Sequence, residues 1–281
     1  DRIVENLKRV FSSSKVIIMV LPAVMGLLSV PGGAYLSAPF ADSVGEELGL
    51  PSARRAVVNL SFRHIAMFIL PYTGTMIFIP TVVPGVNLYM LILLNIGFVI
   101  CMQVISYIIY LSRAPRVRAP KQKGRGKALL MLLFDLSPVY MMVVLNIFGL
   151  PLYLGGFVCM ALCFVIGCRK DFPRQLLKGL GLGTPLMMAG IYFLQHIIVR
   201  LDDVTAAVIH LFGVSSGFAV PLVISVASIL FGATTGHIMV PLGVILPLVG
   251  ALPIAVELKL VYTFFVFVWG FLGYYYSPLH L

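Results

Sequence analysis

Apolar residues in this chain come in long runs, at 65–83, 86–111, 136–168, 180–199, 204–256 and 260–281. A bilayer core takes about 20 apolar residues per helix. The pattern therefore predicts an all-α, polytopic membrane protein. Two stretches interrupt the grease. "SVPGGAYLSAP" (29–39) follows an apolar arm at 16–30, and "GATTGHIMVPL" (232–242) lies inside the 204–256 run. Glycine, proline and hydroxyl residues at such places predict backbone that leaves the helix at membrane depth.

Composition agrees with the class: 60% of the 281 residues are hydrophobic and 11% charged. The chain opens without methionine and stops inside an apolar run, so a fragment lacking both ends is expected. The net charge of +10 does not point to nucleic acid, because of where it sits. Seven basic residues fall in "RAPRVRAPKQKGRGK" (113–127) and four in "RKDFPRQLLK" (169–178), both short loops between apolar spans. Lys/Arg excess in short loops marks the cytoplasmic side. With those loops inside, seventeen of the twenty Lys and Arg become cytoplasmic, and only Arg200 and Lys259 face out. The expected location is the inner (plasma) membrane.

That orientation puts both ends of 16–41 on the cytoplasmic side. Its arms, about fifteen and ten residues, are too short to cross twice, so it reads as a re-entrant hairpin. The 204–256 segment reads as a second hairpin, opening outward. Each is followed by a span interrupted at proline, "FILPYTGTM" (68–76) and "YYYSPLHL" (274–281). Two such copies of opposite orientation predict an inverted repeat, a feature of many secondary transporters.

Irregular backbone at membrane depth is tolerated where it is buried in protein or lines a wet cavity. Freed N–H groups and helix N-termini can hold an anion there. The residues expected at a substrate site between the hairpin tips are Ser29, Gly32, Gly33 and Ser37 on one side. Gly232, Thr234, Thr235, Gly236 and His237 stand on the other. Tyr72, Thr73 and Gly74 in the first interrupted span and Ser277 in the second complete the set. The competing reading is a pair of proline-kinked helices with glycines for close packing.

The run "PGGAYLSAPFADSVGEELGLP", "FRH" at 62–64 followed by "LPYTGTMIF", and "SPLHL" resemble a prokaryotic integral-membrane family, domain-of-unknown-function family 401. That family is grouped with the ion transporter superfamily, whose members include dicarboxylate, arsenite and gluconate carriers. The resemblance implies an elevator-type fold, in which a transport domain of two hairpins and two broken helices moves against a scaffold. By that likeness 1–14 is an interfacial linker helix and 15–83 the first-repeat transport elements. Residues 84–200 are scaffold, and 201–281 the second-repeat elements. The Ser-Asn-Thr tip signature of the dicarboxylate carriers is absent, so their specificity is not implied. His280 gains interest only through this likeness.

Asn59, Arg63 and His64 near the inner end of a span are candidates for ion or proton coupling. Snorkelling of Arg63 to the headgroups is the plainer alternative. His237 at a hairpin tip is placed to sense protons or simply to hydrogen-bond. Asp135 reads as structural, pairing with the adjacent basic loop. His196, Arg200, Asp202 and Asp203 read as a solvated outer cluster. The cysteines lie in apolar spans without a zinc set, and "KGLGLGT" lacks the preceding strand of a phosphate loop. No protease or hydrolase motif supports a membrane enzyme. The expectation is a secondary active transporter of a small organic or inorganic anion. It is a homodimer coupled to Na+ or H+, with no other cofactor or metal; the alternatives are an intramembrane enzyme or a channel.

Overall fold

The computed structural model describes residues 2–27, 33–117, 124–167, 170–179, 182–200 and 219–279, without the side chains of 33–36 and of several residues in 183–199. Ser29, Gly32 and His280 lie outside the described residues, as do Asp202 and Asp203. Every element among the described residues is helical.

The chain divides into two compact units, one of Asp1–Leu70 with Val99–Lys178, the other of Pro71–Phe98 with Gly179–Leu281. In the first unit α1 (Arg2–Val10) precedes α2 (Ser14–Leu27) and α3 (Gly33–Glu47). Helices α2 and α3 pair as a hairpin, and both pack on α4 (Ser52–Arg63), which passes through His64 into α5 (Ile65–Ile69). Leu21, Leu48, Val58 and Phe62 are buried in their shared core. The end of α3 comes at Glu47 rather than near 41, because Pro39 is carried inside the helix. A proline there costs one i−4 bond, and the packing of α3 on α2 and α4 carries the helix past it.

The second unit opens with α6 (Gly74–Val82) and the start of α7 (Leu88–Ser106), which extends as a π-turn over Tyr107–Leu111 in the first unit. The first unit then continues with α8 (Arg125–Asp135), α9 (Ser137–Ile147), α10 (Leu152–Ile166) and α11 (Phe172–Gly179). The stretch 128–148 is broken at Leu136, where α8 and α9 meet at 59°. Pro138 at the start of α9 has no N–H for the helical bond. The second unit resumes with α12 (Gly183–Arg200), α13 (Ala219–Thr235), α14 (Met239–Ala251) and α15 (Val256–Tyr275). Helices α13 and α14 form a hairpin, and both pack on α15. Phe78, Leu246, Phe267 and Phe271 are fully buried in this unit.

Among the described residues two helices, Leu88–Leu111 and α15, are long and apolar enough to cross a membrane, or up to four spans if each of two bent helix pairs counts as one. The hairpin arms α2, α13 and α14 are apolar but shorter, at 14, 17 and 13 residues. Large apolar side chains such as Leu93, Ile100, Leu130 and Phe157 point outward. A water-facing surface rarely carries so much apolar area. These are lipid-facing positions of a membrane protein.

Candidate functional site

The candidate residues fall into two groups. Gly33, Ser37, Asn59, Arg63 and His64 belong to the first unit. Tyr72, Thr73, Gly74, Gly232, Thr234, Thr235, Gly236, His237 and Ser277 belong to the second.

In the second unit the α13–α14 hairpin turns at Gly236, whose φ of 62° is the left-handed conformation that glycine adopts without penalty. The Gly236 N–H donates to Gly232 O at 3.0 Å, the last bond of α13. The two threonines before it turn their hydroxyls back on their own helix. Thr234 donates to Leu230 O at 2.7 Å and Thr235 to Phe231 O at 2.6 Å. Their protons are thus occupied.

His237 caps the next helix: its Nδ1 accepts from the Met239 N–H at 3.1 Å. That bond leaves the ring proton on Nε2, so a neutral His237 offers one N–H donor outward. Ser277 ties in the segment after α15. Its Oγ donates to Ala233 O at 2.7 Å and accepts from the Leu279 N–H at 3.1 Å. A Cβ at Gly236 would lie 2.7 Å from Leu279 Cβ, so tip and C-terminal turn are in direct contact. Gly236, Thr234, Thr235, His237 and Ser277 therefore form one polar end.

Gly232 stands apart in role. A Cβ there would come within 2.3 Å of Gly270 O and 2.8 Å of the Tyr274 nitrogen. Gly273 meets Ile229 O in the same way at 2.2 Å. These glycines bring the backbones of α13 and α15 into contact, as small residues do at membrane helix interfaces. Gly232 faces that seam. At the start of α6, Thr73 caps the helix, accepting from the Met76 N–H at 3.4 Å, and its Oγ1 lies 3.1 Å from that of Thr75.

In the first unit the polar residues gather where α4 gives way to α5. His64 is buried, and its Nδ1 lies 2.7 Å from Leu60 O, so the ring donates there. Ser61 Oγ donates to Val57 O at 2.7 Å. Gln103, from α7, donates its Nε2 proton to Ser61 O at 3.2 Å and supports the backbone beside the break. Gly26 of α2 sits so close that a Cβ would meet Arg63 O at 2.1 Å. Asn59 is buried and its Oδ1 has no hydrogen-bond partner among the described residues. Ser37 is fully buried. Gln103 was the residue not anticipated; an amide in an otherwise apolar span was the signal available.

Neither group contains an acidic pair or a set of three metal-ligating side chains among the described residues. Hydroxyls, amides, imidazoles and backbone groups are the chemistry on offer. A family model described as a protein of unknown function, DUF401, matches residues 1–281. The chain belongs to the DUF401 family. No curated protein and no solved structure matches this DUF401 chain.

Proposed function

We propose that this protein is a secondary active transporter of a small anion, coupled to a cation and working by an elevator movement of an inverted repeat. One observation carries the reading. In each compact unit, a two-helix hairpin with arms of 13 to 17 residues packs both arms on the helix that follows it. Arms of 13 to 15 residues fall short of a crossing, and the 17 residues of α13 only reach its lower bound. Re-entrant backbone at membrane depth is a device of transporters. The charge distribution gives the two hairpins opposite orientations, the first opening to the cytoplasm.

The anion subsite is assigned to the tip of the second hairpin, with Thr234, Thr235, His237 and Ser277. His237 Nε2–H is a donor suited to an oxyanion, and no acidic side chain among the described tip residues opposes it. Asn59 is the candidate for the coupling cation, since a buried amide oxygen without a donor is a ligand that Na+ accepts. Arg63, His64 and His280 stay as second candidates for coupling. The protein is expected to act as a homodimer, with the α7–α10 region as scaffold.

A thermal-shift screen of the full-length protein against small organic and inorganic anions, with and without Na+, tests the reading. A ligand whose stabilisation grows with Na+ is expected, and His237→Ala, which removes the Nε2–H donor, should weaken it about fivefold, the scale of one hydrogen bond. Stabilisation by no anion in either salt would count against the transporter.

A further inference from the structure

The N-terminal helix carries contacts that the transport reading does not use. It lies antiparallel along α8 and is fastened at both ends. At its start, Arg2 makes a two-pronged ion pair with Asp135 at the end of α8, Nε to Oδ2 at 2.9 Å and Nη2 to Oδ1. At its finish, Arg125 at the start of α8 donates Nε and Nη2 to Val10 O, at 3.0 and 2.5 Å. The apolar face between them, Val4 and Leu7, is buried in the core that Leu132 of α8 shares with the α2–α3 hairpin.

The partner of Asp135 is therefore Arg2, not the adjacent basic loop. The position makes the pair matter. Asp135 is the last residue of α8, where the helix dipole disfavours a negative charge, and its side chain is 5% exposed. Without Arg2 that carboxylate would be buried, uncompensated and at the wrong end of a helix. Arg2 itself is 58% exposed, so water competes for the pair and the fastening is reversible.

The helix is also packed against a built-in penalty. Asn6, on its buried face, is 3% exposed and its Nδ2 has no hydrogen-bond partner among the described residues. An unsatisfied buried amide works against docking. A nine-residue helix has little stability of its own in water. So α1 is held by its two arginine fastenings and loosened by Asn6.

What it holds is the base of the hairpin. Ser14 and Glu47, at the two ends of the α2–α3 hairpin, are joined by Ser14 Oγ to Glu47 Oε2 at 3.2 Å. The base is tied to the segment after α7 by Ser14 N–H to Val117 O at 3.2 Å, and by buried Lys15 Nζ to Ser112 O at 3.1 Å. Beside these polar bonds, Ile17, Ile18 and Leu48 of the hairpin share a buried core with Leu111 and Leu132, and Val4 and Leu7 of α1 are part of it.

We propose that α1 is a releasable strap: docked on α8 through Arg2–Asp135 and Arg125, it holds the base of the first hairpin, and its release frees that base. The strap is independent of what the protein carries.

Hydrogen exchange of the full-length protein in nanodiscs, read by mass spectrometry, tests it. Asp135→Asn should speed exchange at least tenfold over 4–10 and, with it, over the hairpin base at 14–18 and 44–48. Helix α15 should keep its wild-type rate. The exchanged pair Arg2→Asp with Asp135→Arg should return protection to both segments. Asn6→Leu should slow exchange in both below wild type. Unchanged exchange in α1 on Asp135→Asn would overturn the strap, as would a loosened α1 that leaves 14–18 and 44–48 protected. General loosening that includes α15 and is not reversed by the exchanged pair would also overturn it, since Asp135 would then serve folding at large.

Discussion

Gly232→Ala gives the sharpest test of how the second hairpin is seated. The added methyl would stand 2.3 Å from Gly270 O and 2.8 Å from the Tyr274 nitrogen. A carbon and an oxygen in contact sit at about 3.3–3.6 Å, so α13 and α15 must part by roughly 1 Å. Both clashing atoms belong to backbone, which cannot swing aside as a side chain does. The neighbouring contact of Gly273 on Ile229 O would open with it. Overpacking of this kind costs about 1–3 kcal/mol. For a chain of this size about 1 kcal/mol moves Tm by roughly 2–4 °C, so a fall of several degrees is expected. The assay is thermal unfolding in mild detergent, followed by the loss of the monodisperse peak on size exclusion. Gly97→Ala is the control, because a Cβ there meets nothing within 4 Å and alanine favours the helix by about 0.5–1 kcal/mol. A wild-type Tm for Gly232→Ala, or an equal fall for Gly97→Ala, would refute the seam.

Ser277→Ala removes the donor to Ala233 O and the acceptor of the Leu279 N–H, and is expected to lower stability by about 1–2 kcal/mol in the same assay; no change would mean that the C-terminal turn is not fastened to the hairpin tip. Single cysteines at 120 and 174, in a background lacking the native ones, should resist an impermeant thiol reagent added outside intact cells, and one at 204 should label. Labelling at 120 would reverse the orientation and remove the same-side argument for the first hairpin.

Several elements could be read from the chain because their signals are local. The apolar run 86–111 became Leu88–Leu111, and the glycine, threonine and proline cluster at 232–242 became the turn between α13 and α14. Length alone marks the arms of the first hairpin, 16–41, as short for two crossings. What escaped was set by contacts between distant residues. The sequence puts Gly232 among the residues expected at the substrate site, and in the structure it lies at the contact of α13 with α15. The matching glycines, Gly270 and Gly273, lie one turn apart in "WGFLGYYY" and were the available hint. Asp135 was assigned to the nearest basic loop in sequence, yet the antiparallel run of α1 along α8 brings Arg2 to it from 133 positions away. The break at Leu136 is signalled by Ser137-Pro138 at the very start of the 136–168 run. Gln103 shows the same limit: its partner, the Ser61 carbonyl, is 42 positions distant.

Uptake into liposomes reconstituted with the purified full-length protein tests the transporter reading most directly. The probe is the labelled form of whichever anion gives Na+-dependent stabilisation, and initial rates are measured against its concentration with and without an imposed Na+ gradient. The account predicts saturable uptake that rises with an inward Na+ gradient and is reduced in His237→Ala. Flux that grows linearly with concentration and ignores the gradient would contradict it, as would uptake no faster than in protein-free liposomes.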